Sequence, residues 1–210
     1  FEYGGSDETT LGMGWNVFVL VLDSKGEQLW AKTFGANGDD AVRGIAVDVE
    51  GNVSIAGHGK GTPTLDFGKG PMQFLGEEDI FLARFDGKGN PLWAKLLGSE
   101  GDSTTAAALA SNEAGDLYLS GVFDGANLDL GGAAVGSSGG SDILLARYAA
   151  DGNLTWSVAA GTASNETVAA LTRSGLGTMA MIGGFEGTTM DFGLEPVTNS
   201  LVATPAVFVV

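Results

Sequence analysis

The chain has 210 residues, 44% of them apolar, with 35 glycines, 5 prolines and a formal charge of −16. The negative surface disfavours nucleic acid and anionic lipid, and the absence of cysteine excludes disulfides and thiolate metal sites. The longest uninterrupted apolar run, Val17–Leu22, is too short to cross a bilayer. The glycines fall between apolar runs rather than in a low-complexity tract, a pattern of turn-dense all-β structure.

In chain order, residues 1–14 open on "FEYGG", a variant of a phrase that recurs later, and read as the tail of a preceding blade. With no signal peptide and no initiator methionine, the chain is expected to be cut from a longer protein. The first full repeat, 15–78, begins with the apolar run "NVFVLVLD" at Asn16, followed by the turn "DSKGE" and "LWAKTFG" at 29–35. Strands are predicted near 17–23, 28–34, 42–48 and 53–58, and the phrase "LDFG" follows at 65–68. The second repeat, 79–141, carries "DIFLARFDGKGNPLWAKLLGSEGD" and ends with "LDLG" at 128–131. The third, 142–205, carries "DILLARYA", a worn "LTWSVAAG" and "MDFG" at 190–193, and 206–210 ("AVFVV") read as the first strand of a further blade.

Trp30, Trp93 and Trp156 are evenly spaced, each fourteen positions after Asn16, Asp79 or Asp142. Gly35, Gly98 and Gly161 stand five positions after each tryptophan, and Asp39, Asp102 or Asn165 nine after. A sustained period, here of about 63 residues, is the mark of a repeat architecture. The predicted fold is all-β: a β-propeller-type array of four-stranded antiparallel blades, one per repeat, because small twisted sheets apolar on both faces must stack on one another. The tryptophans are expected to be aromatic wedges between neighbouring blades. The glycines are expected where a side chain would clash, and Asp66, Asp129 and Asp191 of the closing phrases to accept backbone N–H bonds in turns.

These residues closely resemble the bacterial seven-bladed β-propeller repeat known as the SBBP repeat, abundant in secreted and surface-attached proteins of myxobacteria and relatives. The resemblance covers essentially the whole chain and is nearly silent on activity. It implies an extracellular or cell-envelope setting, usually within a longer multi-repeat protein. The third repeat departs from the pattern at Ala149 and at Arg173-Ser174-Gly175, so that blade is expected to be looser or packed differently.

Chemistry-bearing groups are few. The lone histidine, His58, has Val122 and Phe185 as its counterparts and reads as a packing position. Asp39 and Asp102 recur at one offset and are the candidate Ca²⁺ ligands. No D-x-D-x-D-G loop supports them, and Asp after Gly also caps turns. No catalytic residue and no other cofactor is expected. The sequence reads as a non-enzymatic scaffold or interaction module whose partner is a protein, a glycan or copies of itself. A lectin-like reading would look for exposed aromatics at loop tips, with Phe74 the nearest; a carboxylate-dependent hydrolase is the enzymatic alternative. The unfinished ends suggest a ring completed by further sequence, or neighbouring copies that donate strands to a ring or filament.

Overall fold

The computed structural model describes residues 14–35, 37–60, 64–132, 134–174, 177–193, 196–198 and 206–209. Gly14 alone of the expected preceding-blade tail falls among them. They form β1 (Val17–Leu22), β2 (Gln28–Phe34), β3 (Asp40–Val47), β4 (Val53–Gly59), β5 (Asp79–Phe85), β6 (Pro91–Leu97), β7 (Thr104–Ser111) and β8 (Leu117–Phe123). There follow β9 (Asp142–Tyr148), β10 (Leu154–Ala160), β11 (Glu166–Arg173), β12 (Met179–Phe185), β13 (Thr189–Met190), β14 (Val197–Thr198) and β15 (Ala206–Val209). The structure is all-β, with no helix among the described residues and antiparallel pairing within every sheet.

The sheets do not follow the repeat boundaries at 78/79 and 141/142. One four-stranded sheet runs β3-β4-β5-β6 and another β7-β8-β9-β10, so each joins the second hairpin of one repeat to the first hairpin of the next. The expected sheet of four consecutive strands within one repeat is therefore corrected: β1-β2 is a two-stranded sheet, and β11-β12 is completed by β15. At roughly 3.3 Å per residue, the 35–39 link is long enough to cross the roughly 10 Å between packed sheets, and the chain changes sheet between β2 and β3. The 60–78 link is the longer one, yet it returns to the neighbouring strand of the same sheet.

Three apolar cores lie in the three seams between these four sheets. The first joins Val17, Val19, Trp30 and Phe34 to Val53, Ile55, Phe81, Ala83 and Phe85. The second joins Ala56, Ile80 and Leu82, from the opposite face of the same strands, to Leu109, Leu117, Leu119, Leu144 and Tyr148. The third joins Ile143 and Ala160 to Met181 and Phe185. A sheet covered on both faces loses the apolar–polar alternation of a half-exposed one, which is why every residue of β4 and β5 is buried.

The long links seal these seams. Leu65 and Met72 pair across one link, as Leu128 and Val135 and then Met190 and Val197 do in the next two, and Leu65, Leu128 and Met190 are buried. Phe67 packs against Phe34 with ring centroids 4.8 Å apart. Phe74 is buried in the same core rather than exposed at a loop tip, because its ring covers Gly59, where an added Cβ would lie 3.1 Å from it. The divergent third repeat keeps its turns. Gly152 N–H donates to Ala149 O at 2.8 Å although the expected aspartate is absent, and in the β11–β12 hairpin Gly177 N–H donates to Ser174 O at 3.2 Å.

The β1–β2, β5–β6 and β9–β10 turns place Gly26, Gly89 and Gly152 at φ of 83°, 81° and 86°. A Cβ on Gly89 would lie 2.8 Å from the Trp30 ring, whereas one on Gly26 would meet nothing within 4 Å. Both Gly→Ala variants bear the left-handed backbone penalty of roughly 1–2 kcal/mol. Gly89→Ala should cost about 1–3 kcal/mol more than Gly26→Ala through overpacking, a difference that urea unfolding of the two variants measures.

Candidate functional site

The repeated tryptophans sit at the seams. Trp30 on β2 is buried against Phe85, with ring centroids 5.9 Å apart, and its indole N–H donates to Gly87 O at 3.2 Å across the first seam. Trp93 on β6 donates to Ala150 O at 2.9 Å across the second, and its ring lies over Gly152. In both, the indole covers the glycine hairpin of the following repeat and bonds the carbonyl two residues before that glycine. Among the described residues no hairpin covers Trp156 on β10. With Leu145, Val158, Met179, Met181 and Phe192 it lines an open apolar cavity of about 320 Å³, and its N–H meets no protein acceptor among the described residues.

The glycines after the tryptophans lie against the residues that start each repeat. A Cβ on Gly35 would fall 1.8 Å from Asn16 Oδ1, one on Gly98 1.8 Å from Asp79 Oδ1, and one on Gly161 2.2 Å from Asp142 Cγ. The sheets are also stitched by three equivalent backbone bonds: Asp40 N–H to Trp15 O (2.9 Å), Thr104 N–H to Glu78 O (2.8 Å) and Glu166 N–H to Ser141 O (2.7 Å).

The recurrent carboxylates are engaged in turns. Asp39 Oδ1 accepts Trp15 N–H at 3.2 Å, and Asn165 Oδ1 accepts Ser141 N–H at 3.0 Å at the same place two repeats on. Asp102 Oδ2 accepts the Ser99 hydroxyl at 2.8 Å. Asp66, Asp129 and Asp191 accept the N–H of Gly68, Gly131 and Gly193 at 2.6, 2.7 and 2.7 Å. Among the described residues no group of three or more His, Cys, Asp or Glu side chains is placed to hold a metal ion.

Sequence reasoning passed over three features. Arg84, buried on β5, pairs with Asp48 within its own sheet and donates to Gly115 O of the next sheet at 2.5 Å. Arg147 repeats the pair with Asp116 at 2.6 Å in a more exposed setting. The signal was the "AR" shared by "FLARF" and "LLARY". Second, Asp79 and Glu166 are fully buried acids. Burial pushes the Asp79 carboxyl above its usual 3.8 despite the amides of Leu75 and Gly76. Burial likewise raises Glu166 above 4.5, against the bonds from Thr162, with Asp142 adding to the rise. Third, apolar side chains are exposed on the sheets at the N-terminal end of the stack: Trp15, Phe18, Leu22, Ile45, Val47 and Val49.

His58 is buried on β4, and desolvation keeps its imidazole below the usual 6.5. In the β11-β12-β15 sheet the register pairs Gly184, not Phe185, at the equivalent position, since His58 faces Ala41 and Ile80 as Gly184 faces Thr167 and Val207.

No family model matches the chain. The regulatory protein FlaEY of Caulobacter vibrioides is 30% identical over 168 residues, covering 76% of this chain. The chain spans 17% of that relative's length. Among the described residues there is no helix long and apolar enough to cross a membrane.

Removing one partner of a buried ion pair strands the other charge, so Arg84→Ala should cost about 3–5 kcal/mol. The Arg147 side chain is 35% exposed. Arg147→Ala should therefore cost about 0–1 kcal/mol for the ion pair itself, and thermal unfolding separates the two variants.

Stability should also have a maximum in mild acid. Asp79 and Glu166, with raised folded-state pKa values, destabilise the fold when ionised, and acidification from neutral pH relieves that cost. Burial opposes ionisation of Asp48 and Asp116 too. Bonds from Asn52 and the Arg84 charge to Asp48, and from Arg147 and Asn112 to Asp116, outweigh it and hold both below 3.8. Their contribution is present above pH 3.8 and lost as pH falls further. Glu166→Gln should flatten the rising limb between neutral pH and 4.5 in a pH series of denaturant titrations.

Proposed function

We propose that the chain is a section of a β-propeller-type scaffold, a non-enzymatic interaction module that acts outside the cell or in its envelope. The observation that carries this reading is where the repeated polar groups are spent. Asp66, Asp129 and Asp191 cap turns, Arg84 with Asp48 ties a sheet to the next, and Asp39 with Asn165 holds strand starts. Catalysis needs an asymmetric set of groups around one reacting atom, whereas here the same role recurs at each repeat. The envelope setting rests on the resemblance to SBBP repeats. The likeness to part of FlaEY, a regulatory protein, fits a module that contributes a binding surface to a larger chain.

The exposed apolar side chains at the N-terminal end favour a protein partner over a glycan. Trp15 and Phe18 are 78% and 74% exposed, and the exposed Ile45 and Val47 are likewise aliphatic rather than hydrogen-bonding groups.

Thermal unfolding with and without excess Ca²⁺ tests the scaffold reading against a metal-dependent one. Equal midpoints are expected. A Ca²⁺-dependent rise of several degrees that disappears in the Asp39→Asn/Asp102→Asn double variant would give the carboxylates a binding role instead. Turnover of a saccharide or peptide substrate that those two substitutions abolish would overturn the non-enzymatic reading.

A further inference from the structure

We propose that Asn153, at the β9–β10 hairpin, is an N-glycosylation site that accepts an oligosaccharide from a lipid-pyrophosphate donor. The proposal rests on the envelope setting of the proposed function, because such donors are used outside the cytoplasm, and adds a covalent modification to it.

The acceptor sequence for this chemistry is Asn-x-Ser/Thr with no proline between, and bacterial enzymes of the class also select an acid two positions before the asparagine. Asp151-Gly152-Asn153-Leu154-Thr155 satisfies both requirements. The hairpin departs from its own repeat to do so: Lys25 and Lys88 stand where Asp151 does, and Leu29 and Leu92 where Thr155 does. The turn accounts for the first change. Ala149 lacks the carboxylate with which Asp86 holds the amide and carboxamide of Asn90, and Asp151 takes both from Asn153 instead, at 3.0 and 2.9 Å. It does not account for the second. The Thr155 hydroxyl donates to Arg147 O at 2.9 Å, but Leu29 and Leu92 are exposed at the same position of intact hairpins, so no packing demands a threonine there.

Asn52, Asn153 and Asn165 all carry the tripeptide, and the fold separates them. Asn52 is followed by Val53 and Ser54, both 1% exposed on β4, a strand paired on both sides. Asn165 has Ala163 in place of the acid, and its Oδ1 is held by Ser141 N–H at 3.0 Å. At Asn153 the acid, the asparagine and the threonine are all exposed, and β10 is an edge strand of its sheet. Asn90, the counterpart in the β5–β6 hairpin, is exposed too, although that sheet has an apolar core on each face. Exposure therefore belongs to the hairpin position and not to the end of the stack. Trp93 roots the hairpin, with its ring over Gly152 and its N–H on Ala150 O. In the transfer, Asn153 Nδ2 forms a bond to the anomeric carbon and gives up one proton. The bond from that carbon to the pyrophosphate oxygen breaks, the lipid pyrophosphate leaves, and nothing is oxidised or reduced.

The test treats the folded 210-residue chain with a bacterial oligosaccharyltransferase of the acid-selecting type and an undecaprenyl-pyrophosphate-linked oligosaccharide, read by intact mass and peptide mapping. One oligosaccharide on Asn153 is expected. It should be lost in Asn153→Gln and in Thr155→Ala. It should fall in Asp151→Asn, which keeps the oxygen that the turn needs and removes only the charge. A peptide of residues 149–157 is the positive control. Acceptance by the peptide but not by the folded chain, or transfer to Asn52 or Asn165 of the folded chain in place of Asn153, overturns the inference. The protein isolated from the cells that make it separates this inference from the reading beneath it. Recovery from the envelope with a glycan on Asn153 upholds both. Recovery from the envelope with Asn153 bare removes the inference alone, and recovery from the cytosol removes the envelope reading and the inference with it.

Discussion

A small antiparallel sheet with apolar side chains on both faces has no stable existence alone. Burial is worth roughly 25 cal/mol per Å² of apolar surface, and each face must find another face to obtain it. In this chain β4 and β5 are buried along their whole length and contribute to two cores at once, one on each side. The stack, the seam-filling links and the indole seats all answer that requirement. What lies against the outermost faces then becomes the functional question.

The polar groups answer to the same requirement. Buried polar atoms must be paired, and the chain meets this with a few devices used repeatedly: an aspartate on the amides of its own turn, an indole N–H on a hairpin carbonyl, a guanidinium that reaches a neighbouring sheet. The guanidinium device grades with position. Arg84 is enclosed between sheets, whereas Arg147 lies nearer the open end, partly out in water and set 5.8 Å from the Tyr118 ring centroid.

Strand positions and the tryptophan–glycine interval were legible in the sequence because each depends on local chemistry: β-branched runs, Asp-x-x-Gly turns, a residue that cannot carry a Cβ. The phase of the sheets was not. Whether the hairpin at 17–34 pairs with the one that follows it depends on where the 35–39 link crosses, and no residue type records that choice. Phe74 misled because it sits in a polar, glycine-rich stretch, and only the missing side chain at Gly59 reveals the space that takes its ring. The His58 counterpart slipped by one residue because Gly183 and Gly184 are adjacent and composition cannot register them. Trp156 looked equivalent to Trp30 and Trp93, since sequence displays an indole but not what covers it.

The offset between repeat and sheet has a further result. No single repeat unit owns a complete sheet; its two hairpins belong to different ones. Excising a unit therefore strips strands from two sheets rather than removing one page from the stack. Neighbouring units are interlaced, as in a dovetailed joint. Heating such a chain should make it come apart as one block, without the stepwise fraying that independent repeats permit.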